Sequence, residues 1–125
     1  MSTRWLLPAG LAAALLCTVS ASAAPRQPAR LQVSADAFGL VLSRLKVPAG
    51  PAIVTLVNFG EDDHDLALRR VAVGARTWRF PVVQPGGFRE RRLRVVEGRY
   101  RLWCTIADHR ARGMRATLRV RPRTS

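Results

Sequence analysis

From residue 31 to residue 121 the apolar side chains recur at every second position, and no helical period is sustained anywhere, which confines this stretch to β-strands. Leu31, Val33 and Ala35 alternate with Gln32, Ser34 and Asp36, and Phe38, Leu40 and Leu42 continue the pattern after a bend. Leu45 and Val47 lead into a turn at Pro48-Ala49-Gly50-Pro51. Ile53 to Phe59 is apolar at both parities, as a central strand of a two-layer structure requires. An acidic loop, Asn58 to Asp63, follows; His64, Leu66 and Leu68 then share the inward parity while Asp65, Ala67 and Arg69 take the other.

A weaker strand over Ala75 to Val83 carries Trp78 and Phe80 on one face before the turn Gln84-Pro85-Gly86-Gly87. Leu93 and Val95 point inward with Arg92 and Arg94 outward. Past the Glu97-Gly98 turn, Tyr100, Leu102 and Cys104 face the core and Arg99 and Arg101 face solvent. Ala116, Leu118 and Val120 close the pattern against Arg115, Thr117, Arg119 and Arg121. About seven short strands with a turn about every eight to twelve residues predict an all-β fold, an antiparallel Greek-key β-sandwich.

The chain of 125 residues allows one domain, and 48% hydrophobic content with nine Gly and eight Pro is globular in character. Residues 1–23 read as a secretory signal: a short basic start to Arg4, an apolar run from Trp5 to Val19, and the small-residue pattern Ala21-Ser22-Ala23. The run is broken by Pro8 and Gly10 and is too short to read as a membrane span. Ala14-Leu15-Leu16 before Cys17 lacks the small pair of a lipoprotein signal, so a soluble, exported product is expected, in a periplasm, cell envelope or the medium. Residues 24–30 then form a flexible leader, 31–121 the domain and 122–125 a polar tail. A monomer is expected, with no membrane span after processing.

Cys17 leaves with the signal, so the exported domain carries one thiol, Cys104, and no internal disulfide. An unpaired cysteine in an oxidising compartment asks to be buried or ligated. Cys104, His109 and Met114 recur at a spacing of five, across a loop between two apolar strands, and His64 is the remaining histidine. His64 opens one strand and Cys104 ends another, so two strand ends and one loop meet at one pole. Thiolate, imidazole and thioether together form a donor set suited to copper, and a His-His-Cys plane with a long axial Met is an electron-transfer arrangement.

On these residues the chain resembles the cupredoxins, the small blue copper proteins such as azurin, plastocyanin and rusticyanin. The resemblance runs through Val47-Pro48-Ala49-Gly50, the segment from Asn58 to Leu66, Pro85-Gly86-Gly87, Gly98-Arg99-Tyr100, the Cys104 to Met114 loop and the strand from Arg115 to Val120. It implies one copper ion, with His64, Cys104 and His109 as equatorial ligands and Met114 as the weak axial one, and a role in passing single electrons without being an enzyme. Two positions depart from the family pattern. Ala107-Asp108 stands where many relatives have Pro-Gly before the second histidine, and Asp65 follows the first histidine where Asn is frequent.

Other classes account for less of the chain. Copper storage or delivery would use the same ligands. A thiol enzyme, with His64 or His109 activating Cys104, leaves Met114 without a role and finds no oxyanion loop. A structural zinc site would call for a carboxylate such as Asp63 or Asp108 in place of the thioether. The net charge of +13, from twenty arginines and one lysine against eight acids, favours acidic partners or anionic surfaces, a redox protein partner among them. The arginines occupy outward strand positions without interleaved aromatics, so nucleic acid is not expected, and a polyanion-binding module is a lesser alternative.

Overall fold

In a computed structural model, residues 1–2 and 20–124 are described, so most of the expected signal segment lies outside the described residues. Alternation is realised as nine strands among the described residues: β1 Ala29–Asp36, β2 Gly39–Leu42, β3 Lys46–Pro48, β4 Gly50–Asn58, β5 His64–Arg70, β6 Thr77–Val83, β7 Phe88–Val95, β8 Gly98–Trp103 and β9 Arg115–Arg121. They form a four-stranded sheet ordered β2-β1-β4-β7 and a five-stranded sheet ordered β3-β9-β8-β5-β6. The expected sandwich is therefore present. The count exceeds seven because the stretch from Gly39 to Pro48 divides into two short strands, one in each sheet.

Hairpin neighbours pair antiparallel, but β1 lies parallel to β4, and β3 parallel to β9. The cause is the Pro48-Ala49-Gly50 corner, where the chain leaves the five-stranded sheet and enters the four-stranded one. β4 thus returns beside β1 from the same end, after the crossover that parallel pairing requires. β1 starts at Ala29 rather than Leu31: Ala29 has the inward parity, is buried, and stands opposite Ala52 of β4. The last residues assigned to a leader therefore belong to the sheet.

The inward faces close on one core. Leu31, Val33, Val54 and Leu56 of one sheet meet Leu66, Leu68, Leu102 and Leu118 of the other, all essentially without exposure. Full burial of a Leu or Val contributes roughly 1.5–3 kcal/mol relative to exposure. At the end of the core Tyr100 accepts a hydrogen bond from the Val96 amide at 3.0 Å and donates one to the Val96 carbonyl at 3.2 Å, which holds the β7–β8 turn.

Two local departures from strict alternation have packing causes. Phe80 and Val83 are both buried although they lie three apart, and the register passes from His64 opposite Val83 to Leu66 opposite Phe80. Pro81 and Val82 therefore stand together against Asp65 in a bulge, tolerated because β6 is an edge strand and Pro81 has no amide to pair. Ala67, expected to face solvent, is 0% exposed, flanked in register by Trp103 and Arg79.

Leu102→Ala should lower stability by about 2–5 kcal/mol in a denaturant titration, because it opens a cavity at a site with no exposure. Val41→Ala, on an exposed edge, should stay within about 0.5 kcal/mol.

Candidate metal centre

β8 and β9 are antiparallel neighbours, so the residue just after β8, Cys104, lies beside the residue just before β9, Met114. The Cys104 amide donates to the Met114 carbonyl at 3.1 Å, and the Met114 amide donates to the His109 carbonyl at 3.0 Å. Between them the loop winds back on itself, with His109 N bonded to Ile106 O at 3.0 Å and Arg112 N to Asp108 O at 3.0 Å. The winding needs two left-handed residues, Ala107 at φ 42° and Gly113 at φ 123°. A side chain at Gly113 would meet the Phe38 carbonyl at 2.9 Å, so glycine lets the loop close against the β1–β2 turn.

His64 enters from β5, the next strand of the same sheet. The ligand atoms of His64, Cys104 and His109 lie within 4.8 Å of one another, and all three residues are buried. Cys104 Sγ is 3.6 Å from His109 Nδ1, and the two imidazole rings are 5.2 Å apart at 66°. Met114 is buried alongside with no exposure, whereas His109, at 8%, is the most exposed of the four. The ring of Phe38 stands edge-on to His109 at 5.0 Å. The four residues singled out in the sequence are thus gathered at one pole of the sandwich.

Electrostatics at this pole favour donors over catalysis. Burial, reinforced by the neighbouring His109, lowers the pKa of His64 below its ordinary value and keeps its imidazole neutral. Burial raises the Cys104 thiol, the opposite of what an activated nucleophile needs, and the sulfur has no exposure from which to attack a substrate. Beside a bound cation Cys104 would instead be held as the thiolate.

The residues fit a metal ion on their own chemistry. Both nitrogens of His64 are buried without a hydrogen-bond partner. Its Nε2 edge packs against Gly60, where an added Cβ would come within 3.0 Å, which leaves the Nδ1 edge for a ligand. Two imidazoles and a thiolate form a nitrogen and sulfur set that suits copper or zinc.

Two supports lie just outside this cluster. Asp65 reaches across to the loop, accepting the Thr105 amide at 2.6 Å on Oδ1 and the Thr105 hydroxyl on Oδ2. The family departure at this position therefore retains a brace on the residue after Cys104. The second support, Asn58, is not among the candidate site residues read from the sequence. It is fully buried, and its Nδ2 donates to Asp62 O at 2.7 Å and Val83 O at 2.8 Å, while Oδ1 accepts Gly60 N at 2.8 Å. The available signal was its inward parity at the end of the apolar run in β4, where a polar group must bring its own partners.

Asp65→Ala removes both bonds to Thr105 and should cost about 1–2 kcal/mol of stability in the metal-free protein, read by thermal or denaturant unfolding. Asp65→Asn, which keeps one acceptor for the Thr105 amide, should lose less.

No protein-family profile matches the chain, and no curated protein matches it by sequence. Solved structures do match. Reduced auracyanin from the photosynthetic bacterium Roseiflexus castenholzii is 15% identical with a TM-score of 0.60, over 78% of this chain and 100% of that one. Auracyanin A, described as a blue copper protein of Chloroflexus aurantiacus, is 12% identical with a TM-score of 0.61, over 76% and 100%. Amicyanin of Paracoccus versutus is 20% identical with a TM-score of 0.52, over 79% and 86%. At these identities the likeness is one of architecture, and with two sheets closing over a buried His-Cys-His cluster the chain has the cupredoxin fold.

Proposed function

We propose that this protein is an exported copper protein that carries single electrons between redox partners, with His64, Cys104 and His109 as the ligands and Met114 as a weak axial contact. The observation that carries the reading is the buried cluster itself: three donor atoms within 4.8 Å, one from an imidazole with no other partner for either nitrogen. That solved neighbours of the same architecture include a blue copper protein supports copper over zinc. A bound copper ion supplies a one-electron Cu(II)/Cu(I) couple and an intense thiolate charge-transfer colour.

The chain's own part is to hold its donors still. Cys104 and Met114 are joined through the β8–β9 ladder, His64 is seated by the β5–β6 register, and Asp65 fastens the loop, so the donor positions are set by strands. Burial excludes water from the cluster, which keeps reorganisation small when charge changes. His109, at the edge of the pole, is the route by which an electron enters or leaves. On this reading the chain acts as a carrier and not as an enzyme by itself.

The partner is a redox protein, and an acidic one fits the surface beside His109. Arg110 stacks over Trp103 at 4.8 Å and Arg112 over Phe38 at 3.5 Å, so the loop edge is cationic while the acids Glu61 to Asp63 lie on the His64 side. Electron exchange with an acidic partner should slow as salt is raised, since charge steering is screened over about 8 Å at physiological ionic strength. A rate flat in salt would mean that docking rests on the apolar rim alone.

The deciding measurement is the visible spectrum of the purified protein on addition of Cu(II). Intense colour is expected, abolished by Cys104→Ser and retained with a shifted potential by Met114→Leu. A colourless protein that prefers zinc would overturn the reading. Equal loss of binding in both variants would make Met114 a primary ligand. Tight Cu(I) binding without reversible oxidation would favour copper delivery over electron transfer.

A further inference from the structure

Acidic residues are unevenly placed on this sandwich. Six of the eight, Asp36, Glu61, Asp62, Asp63, Asp65 and Asp108, lie at the ends of strands that meet the His-Cys-His cluster. The opposite pole, about 20 Å away along β5 at roughly 3.3 Å per residue, keeps only Glu97. There the chain turns twice, between β5 and β6 and between β7 and β8. The first turn is fixed by Val71 N bonded to Arg99 O at 2.8 Å and Ala72 N to Arg70 O at 3.0 Å.

These two turns expose aliphatic side chains. Val73 is fully exposed, and Val71 and Val96 are about half exposed. Val73 stands between two depressions. One, of about 560 Å³, is lined near this pole by Arg69, Arg70 and Arg101 and runs along the β5–β8 face toward Trp103 and Arg110 beside the cluster; the other, of about 340 Å³, is lined by Arg76 and Arg94 and is bordered by Val96. Arg69 and Arg101 lie directly opposite each other in the β5–β8 ladder, and Arg99 and Arg119 do so in β8–β9. Like charges at facing positions repel, so an anion seated among them relieves a cost built into the sheet.

We propose that this pole is a docking surface for an anionic lipid bilayer, with the tip Val71–Val73 and Val96 entering the acyl boundary and the arginines behind them engaging lipid phosphates. Charge complementarity names the occupant's sign, and the protruding valines name its kind. An isolated aliphatic tip backed by cations suits a fluid interface, where long arginine stems lie in the apolar layer and their heads stay with phosphate. No helix of the described residues is long and apolar enough to cross a membrane, and the contact proposed is one at the bilayer surface. Docked so, the cluster pole points away from the bilayer.

The test uses the protein purified after export, with its N-terminus determined, and vesicles of phosphatidylcholine with and without phosphatidylglycerol. Sedimentation with the vesicles should require phosphatidylglycerol and weaken with salt. Val73→Asp should lower partitioning about tenfold or more, from lost insertion and an added negative charge. Val41→Asp makes the same charge change at an exposed position of the other sheet and should lower it less than about threefold. Val96→Asp repeats the test on the second turn, should Val73→Asp disturb folding. Equal retention on neutral vesicles, equal loss in the Val73 and Val41 variants, or capture by polyglutamate but not by phosphatidylglycerol would overturn the proposal, the last in favour of an acidic protein.

Discussion

The metal pole depends on one backbone hydrogen bond, from the Cys104 amide to the Met114 carbonyl. It continues the β8–β9 ladder one step past Trp103 and Arg115, and it sets a thiol and a thioether side by side. Because β5 is the neighbour of β8 on the other side, the inward residue at its start, His64, falls on the same spot, and the loop needs only to deliver His109. Three of these four side chains thus come from strand ends and one from a loop. Strand ends are the stiffer support, since each is held by ladder bonds on at least one side.

Such a cluster is costly when its polar atoms go unpaired. Leaving a buried polar group unpaired costs about 1–3 kcal/mol, and neither buried nitrogen of His64 has a hydrogen-bond partner. The surrounding hydrogen bonds do not relieve this; they hold it in place. Asn58 ties the acidic loop to β6 through three bonds, none of them to His64, and Asp65 spends both oxygens on Thr105. A polar network that satisfies itself completely yet leaves one imidazole orphaned is the pattern of a site kept open for a ligand.

Much of this was legible in the sequence because strand parity is a strict rule. The parity of Tyr100 and Leu102 put Cys104 inside, that of Leu66 and Leu68 put His64 inside, and both are buried as expected. What parity does not carry is pairing between distant strands. The parallel contact of β1 with β4 follows from a sheet change at Pro48 to Gly50, which reads in sequence as an ordinary turn. The bulge at Pro81 and Val82 was marked by a proline inside a strand, but its consequence, Phe80 and Val83 both facing in, depends on the partner strand. Ala67 was misjudged for a similar reason: its burial comes from Trp103 in the adjacent strand and not from the core.

The same alternation explains the division of the surface between two poles. Apart from Trp103, the outward positions of β8 and β9 face solvent, and with the exception of Thr117 the chain fills them with arginine. Acids could have been interspersed there to relieve the facing Arg69–Arg101 and Arg99–Arg119 pairs, yet they are gathered instead around the His64 loop. Mutual repulsion across a ladder weakens a sheet by a few tenths to about 1 kcal/mol per pair. The long buried rows of leucine and valine beneath offset that cost, so a well-filled core is what permits a one-signed outer face. Core packing, in this sandwich, is the condition for surface charge as much as for the rigid seat of the cluster.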